Sequence, residues 1–340
     1  MLNRVYRLVA PRVIEPVEVE EDLTADSVVV RPTRLSICNA DMRYYLGRRS
    51  AEAMAAKLPM ALIHEGIGRV VFDATGTLAP GTQVVMLPNA PAESDEVVAE
   101  NYLRSSRFCG SGFDGFMQEL CVLPASRVLA LPEGINPDVA AFTELVSVAV
   151  HAVSRFDAIA HSRRESVGIW GDGNVGFIVA LVLHAMFPDM KLNVIGRNPA
   201  KLADFTFAET YLAADVARMP AIDHAFECCG GDGSVQAIDQ AIDCIKPEGC
   251  ISLMGVTENS VAINTRMVLE KGLRLFGSSR SGREDFERTL ALYEEHPELP
   301  DYLESLVQAV VPVSDIKDMA TAFETDLRKP MGKTVMVWSV

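Results

Sequence analysis

Two sets of residues in this chain have the types and spacing to do chemistry. The first is Gly171-Asp172-Gly173-Asn174-Val175-Gly176, which follows the apolar run Ser166 to Trp170 and opens an apolar helical stretch to about Phe187. Between strand and helix each glycine meets a separate steric demand. Gly171 permits a tight turn, Gly173 lets backbone amides approach a pyrophosphate, and Gly176 lets helix and strand pack closely. The helix that opens at Asn174 and Val175 then points its N-terminus at the anion. Twenty residues past Gly176 the next apolar strand ends, where an NAD site carries a carboxylate for the ribose hydroxyls. Here stand Gly196-Arg197-Asn198. A small residue followed by Arg leaves room for a 2′-phosphate and gives it a bidentate donor, so the reading is NADP(H), with Arg197 as the main contact and Lys201 as help. The bland alternative is a surface charge after a strand.

The second set is Cys38, His64, Glu65 and Glu144. Thiolate, imidazole and carboxylate are ligand types that zinc accepts, and a catalytic zinc keeps one position open for water or a substrate oxygen. Each also has a plain explanation, since a lone Cys usually packs and a Glu before an apolar helix is usually a first-turn charge. Spacing alone leaves both readings open. The other Cys are weaker candidates: Cys228 and Cys229 read as core of an apolar strand, and Cys109 lacks the neighbours of a structural zinc.

These residues need elements to position them. The chain has 340 residues, enough for about two domains. With 49% hydrophobic and 23% charged residues it is an ordinary folded composition, neither disordered nor fibrous. Its net charge of −15 repels nucleic acid and anionic lipid, so an anionic substrate must find a local basic pocket. Seven scattered Cys argue for a reducing compartment, and the apolar stretch Val175 to Leu183 is too short to span a bilayer. The N-terminal segment, with Arg4, Arg7 and Arg12, lacks the apolar core of a secretory signal. The expectation is a cytoplasmic protein.

The first third reads as strands and turns: Ser27 to Arg31, Gly68 to Phe72 and Gln83 to Leu87, with Pro80-Gly81 as a turn. From about Ser166 short apolar strands alternate with helical stretches, the rhythm of a doubly wound parallel sheet and an α/β fold class. After Gly282 come a helix from Glu284 to Glu295, a strand Val310 to Val313, a helix Asp315 to Leu327 and a strand Lys333 to Val340. They do not extend the alternation and are expected to return to the first domain. The acidic segment Glu93 to Glu100 reads as a solvated loop or helix face.

His64-Glu65, Gly68 and Val70, Pro80-Gly81, Val84-Val85 and the Asp114-Gly115-Phe116 turn resemble the successive landmarks of the medium-chain, zinc-dependent alcohol and polyol dehydrogenases, over essentially the whole chain. Within that family SICNADMRYYLGRR, LPMALIHEG, AENYLRSS, FTELVSVAVHA, GIWGDGNVGF and LEKGLRLFGSSRSG look like the ribulose-5-phosphate reductases. The resemblance implies a GroES-like, β-rich catalytic domain from residues 1–146 and 283–340 and a Rossmann cofactor domain from 147–282, with the active site in a cleft between them. It implies a catalytic zinc surrounded by Cys38, His64, Glu65 and Glu144, and NADPH as cofactor, in agreement with Arg197. The implied reaction is reduction of D-ribulose 5-phosphate to ribitol 5-phosphate for CDP-ribitol and teichoic or capsular polymers.

In that reading zinc polarises the C2 ketone while nicotinamide delivers hydride. Many relatives begin a proton relay at a Ser or Thr two residues after the zinc Cys, but this chain has Ala40, so zinc-bound water, Glu65 or the Tyr44 hydroxyl is expected to replace it, a water held near Glu65 first among them. Arg43 or Arg280 is expected to bind the phosphate, with Arg48 and Arg49 as further charge. Asp41 is expected to orient its loop or pair with an Arg, and His151 to pack or to support a residue of the metal site. A homodimer through the edge near Leu273 to Gly277 and a cytidylyltransferase acting on the product are the expected partners. A dehydrogenase of another polyol, or a non-catalytic NADP(H)-binding sensor, are the competing readings.

Overall fold

The computed structural model describes residues 1–329 and 331–340 and divides into two compact units. One comprises Met1–Glu144 and Ser281–Val340, the other Leu145–Arg280.

In the first unit the strands Val128–Ala130, Gln83–Met86, Glu65–Asp73, Ser27–Ser36, Lys333–Trp338 and Val307–Val313 lie side by side, with Cys121–Pro124 also pairing to Ser27–Ser36. Ser27–Ser36 is antiparallel to both of its main neighbours, and Ser36 faces Glu65 on one side and Val335 on the other. Antiparallel register therefore puts the end of one strand beside the beginnings of two others. Cys38, Glu65 and Lys333, distant in sequence, are gathered at that end of the sheet.

The inward faces of these strands supply Val28, Val30, Leu35, Val70, Val84 and Met336 to one apolar core. The helix Ile316–Arg328 buries Met319, Ala322, Phe323 and Asp326, one face at helical spacing. Phe323 stacks on Tyr45 at 4.4 Å between centroids and so ties the C-terminal segment to the short helix Asn39–Tyr45. The segment after Gly282 thus contributes its two strands to the sheet that carries Ser27–Ser36.

The second unit is a six-stranded, all-parallel sheet in the order Glu209–Leu212, Lys191–Gly196, Ser166–Trp170, His224–Glu227, Cys250–Leu253, Arg274–Gly277. From Ser166–Trp170 the chain first builds outward on one side, then crosses to His224–Glu227 on the other. The carboxyl ends of these two central strands flank the switch point, where open α/β sheets bind ligands. The helix Asn174–Met186 is buried continuously from Gly176 to Leu183, as its apolar composition requires.

Candidate active site

At the gathered strand ends, single donor atoms of Cys38, His64 and Glu65 all lie within 4.8 Å of one another, and His64 and Glu65 are buried. Cys38 is the residue that starts the helix Asn39–Tyr45, and Asp41 closes the turn: its carboxylate accepts from the Cys38 N–H at 3.0 Å and from the Ile63 N–H at 3.1 Å. The same carboxylate lies 3.4 Å from His64 Nδ1, so one buried acid fixes both the Cys38 turn and the His64 loop. Glu65 begins its strand fully buried, with Lys333 Nζ donating to Oε1 at 2.9 Å. Glu65 Oε2 is 2.7 Å from that nitrogen yet lacks hydrogen-bond geometry, leaving a buried acceptor for a cation.

The electrostatics fit a metal ion. Burial alone would lower the His64 pKa, but Asp41 and Cys38 outweigh it and hold the imidazole well above its ordinary range. Glu144 is pushed up to about 7, mainly by burial and then by Glu65 and Asp41, against the opposing pull of His64 and Lys333. Acids thus outnumber cations in a dry pocket, and a divalent ion would relieve that imbalance. Sulfur, nitrogen and oxygen donors are a set that zinc accepts. Glu144 senses this charge but is not one of the three residues whose donor atoms converge.

In the other unit a cavity of about 240 Å³ opens at the switch point, lined by Gly171, Asp172, Gly173, Arg197, Lys201 and Cys229 among others. Gly171 has φ +133°, and a Cβ on Gly176 would come within 2.0 Å of the Gly171 carbonyl oxygen, so both positions require glycine. Asp172 Oδ2 accepts from the Arg197 N–H at 2.7 Å and the Asn198 N–H at 2.8 Å, which binds the glycine loop to the end of the strand Lys191–Gly196. Loop and Arg197 therefore face one cavity.

The alcohol dehydrogenase GroES-like domain matches residues 24–133, and the zinc-binding dehydrogenase domain matches residues 201–295. The chain is 54% identical over its whole length to a ribulose-5-phosphate reductase of Bacillus spizizenii, which it also covers fully. The chain belongs to the medium-chain, zinc-binding dehydrogenases. This dehydrogenase is also 48% identical to ribulose-5-phosphate reductase 1 of Staphylococcus aureus, over 99% of each chain. It superposes on the crystal structure of S. aureus TarJ in complex with NADPH with a TM-score of 0.90, 43% identity and full coverage of both chains.

In this dehydrogenase the remaining sequence candidates are spread more widely. Arg43 and Tyr44 lie on the helix that Cys38 starts, whereas Arg280, at φ +59°, belongs to the cofactor unit. Arg48 is exposed, and the Arg49 guanidinium sits 5.1 Å from the Tyr44 ring centroid. Asp41 orients its loop as expected, and His151 is buried. Cys228 and Cys229 are not strand core: the strand ends at Glu227, whose carboxylate accepts from the backbone N–H groups of Cys229, Gly230 and Gly255. That turn leaves Cys229 exposed at the cavity wall.

Sequence reasoning passed over Lys333 and Asp172. Asp172 was readable, since it stands inside the glycine loop; Lys333 carried no signal beyond being a Lys at the start of an apolar run.

Proposed function

We infer that this dehydrogenase reduces D-ribulose 5-phosphate to D-ribitol 5-phosphate with NADPH and zinc, supplying CDP-ribitol for teichoic or capsular polymer synthesis. The observation that carries the reading is full-length 54% identity to a ribulose-5-phosphate reductase in a chain whose Cys38, His64 and Glu65 donors converge in a buried pocket.

When bound, zinc supplies a Lewis acid for the ketone and NADPH supplies the hydride. Cys38, His64 and Glu65 are proposed to hold the metal, with Glu144 at its edge. Gly171, Gly173, Asn174, Val175 and Gly176 are proposed to cradle the pyrophosphate through backbone amides, while Arg197 and Lys201 take the 2′-phosphate. Asp41 keeps the His64 and Cys38 loops in register, and Lys333 holds Glu65 in place by donating to its Oε1. With Ala40 in place of a hydroxyl, proton delivery to the product alkoxide is assigned to water held at Glu65. Tyr44, whose oxygen accepts from Lys57 at 2.9 Å and whose hydrogen is left to donate, is the competing donor. Arg43 or Arg280 is proposed to add positive charge beside the substrate phosphate.

The open outer edge of the strand Arg274–Gly277 supports a homodimer paired through that strand. A cytidylyltransferase that consumes ribitol 5-phosphate is the proposed downstream partner. No helix among the described residues is long and apolar enough to cross a membrane, and a cytoplasmic location is proposed.

The test is steady-state turnover with NADPH on ribulose 5-phosphate, xylulose 5-phosphate and unphosphorylated ketoses. The reading requires ribulose 5-phosphate to have the highest kcat/KM; a preference for another substrate would replace it with a different polyol dehydrogenase.

A further inference from the structure

We propose that Lys57, with the Tyr44 and Ser111 hydroxyls it donates to, is the anchor for the substrate's phosphate. This deepens the reading above and rests on it.

The trio comes from three separate segments of the unit that carries Cys38, His64 and Glu65. Lys57 ends the helix Ala51–Lys57, Tyr44 lies on the helix Asn39–Tyr45, and Ser111 lies in the loop after Cys109. Lys57 Nζ donates to Tyr44 Oη and to Ser111 Oγ, each at 2.9 Å. No carboxylate among the described residues pairs with it; a half-buried ammonium is thus held between neutral groups. An ammonium can only donate, so both hydroxyl oxygens accept from it and the Tyr44 hydrogen must point elsewhere. The third Lys57 hydrogen and the Tyr44 hydroxyl hydrogen form a donor pair suited to an oxyanion.

The charge around the trio fits a dianion. Arg49 sits 5.1 Å and Lys57 5.6 Å from the centroid of the Tyr44 ring. Burial, then the neighbouring Arg49, lowers the Arg43 pKa, so Arg43 feels this positive field as well. Burial raises the Tyr44 phenol, but hydrogen bonds from Lys57 and Ser111 and the charges of Lys57 and Arg49 outweigh it and lower its pKa, which strengthens it as a donor. In a chain of net charge −15, Lys57 and Arg49 over one ring make a local positive field that suits an anion.

The trio also lies near the Cys38, His64 and Glu65 cluster in the chain. Tyr44 stands six residues beyond Cys38 along one helix, about 9 Å of axis at ~1.5 Å per residue. Ser111 follows Gly110, whose added Cβ would sit 3.6 Å from His64 Nδ1. In an open-chain pentulose phosphate the phosphorus is five bonds from C2, about 6–7 Å when extended, given bonds of about 1.5 Å. A ketone at the Cys38–His64–Glu65 end would carry its phosphate over a length comparable to this one, and the proposal places that phosphate at Lys57.

The experiment compares ribulose 5-phosphate with unphosphorylated ribulose in the zinc-loaded, NADPH-saturated enzyme. Lys57→Gln is expected to raise KM for the phosphorylated ketose by about 30-fold, the loss of a charge-assisted contact, with KM for ribulose within about twofold and Lys57→Arg recovering part of the loss. Tyr44→Phe, which keeps the ring and its packing, is expected to raise the same KM by roughly 5-fold with kcat retained. Equal effects of Lys57→Gln on both substrates, or none on either, would overturn the anchor while leaving the reductase reading intact. A fall in kcat for both substrates in Tyr44→Phe would make Tyr44 the proton donor and overturn its place in the anchor. A wild-type enzyme without preference for the phosphorylated ketose would overturn the reductase reading, and the anchor with it.

Discussion

The two polar sites of this dehydrogenase hold charge in opposite ways. The cofactor cavity relies on backbone: glycine φ values, helix N–H groups and one carboxylate, Asp172, satisfied by two amides. The charged side chain proposed for its specificity, Arg197, is solvent-exposed. The metal pocket relies on buried side chains that compensate one another, Glu65 with Lys333 and Asp41 with His64, in nearly dry surroundings. A change of one side chain should therefore retune the first site and destabilise the second. Desolvation makes that difference: an unpaired charge costs little at a wet surface and several kcal/mol in the interior.

The largest effect should come from Lys333→Met. In the metal-free protein it leaves the Glu65 carboxylate buried without its counter-ion, a loss of about 3–5 kcal/mol by denaturant unfolding. A loss below about 1 kcal/mol would mean the pocket is wetter than its burial indicates and would erase the contrast.

A buried titratable group inside the cofactor unit gives the next largest effect. His224 donates from Nε2 to the Arg163 carbonyl at 3.0 Å and accepts at Nδ1 from the Cys250 N–H at 3.2 Å, so it packs as neutral imidazole. Burial, then the nearby His161, lowers its pKa to about 4, with Arg164 acting in the same direction and the Arg163 carbonyl and Asp223 opposing. The unfolded chain therefore takes up a proton first. This unit should keep full stability above about pH 6.5 and lose about 3 kcal/mol as pH falls to about 4. Thermal unfolding of wild type against His224→Gln from about pH 7 to about pH 4 reads this: the substitution should flatten the wild-type decline, and parallel curves would refute it.

The smallest effect sharpens the comparison from the wet side. Arg197→Ala should raise KM for NADPH about 10- to 100-fold, leave NADH use nearly unchanged, and shift unfolding by less than about 0.5 kcal/mol. If Arg197→Asp kept the preference for NADPH, Arg197 would not be the 2′-phosphate contact.

The same contrast decides what could be read in the sequence. The glycine loop was legible because strand, loop and helix are contiguous and each glycine answers a local steric demand. Cys38, His64 and Glu65 were visible by type, yet their meeting depends on strand register, Ser36 opposite both Glu65 and Val335, which no local pattern encodes. Lys333 and Lys57 were hidden for the same reason, one as the start of a strand and the other as the last residue of a short helix. Cys228 and Cys229 were misread because the strand stops at Glu227, where that side chain turns back to cap the loop.

The central claim is that the pocket formed by half-buried Cys38 and buried His64 and Glu65 carries the reaction through a bound zinc ion. The most direct measurement strips the enzyme with a chelator and follows NADPH binding and ribulose 5-phosphate reduction together as zinc is returned. The account predicts unchanged NADPH affinity throughout, turnover lost by about a thousandfold or more in the stripped protein, and recovery saturating at about one zinc per chain. Full turnover in protein shown to be metal-free would contradict it.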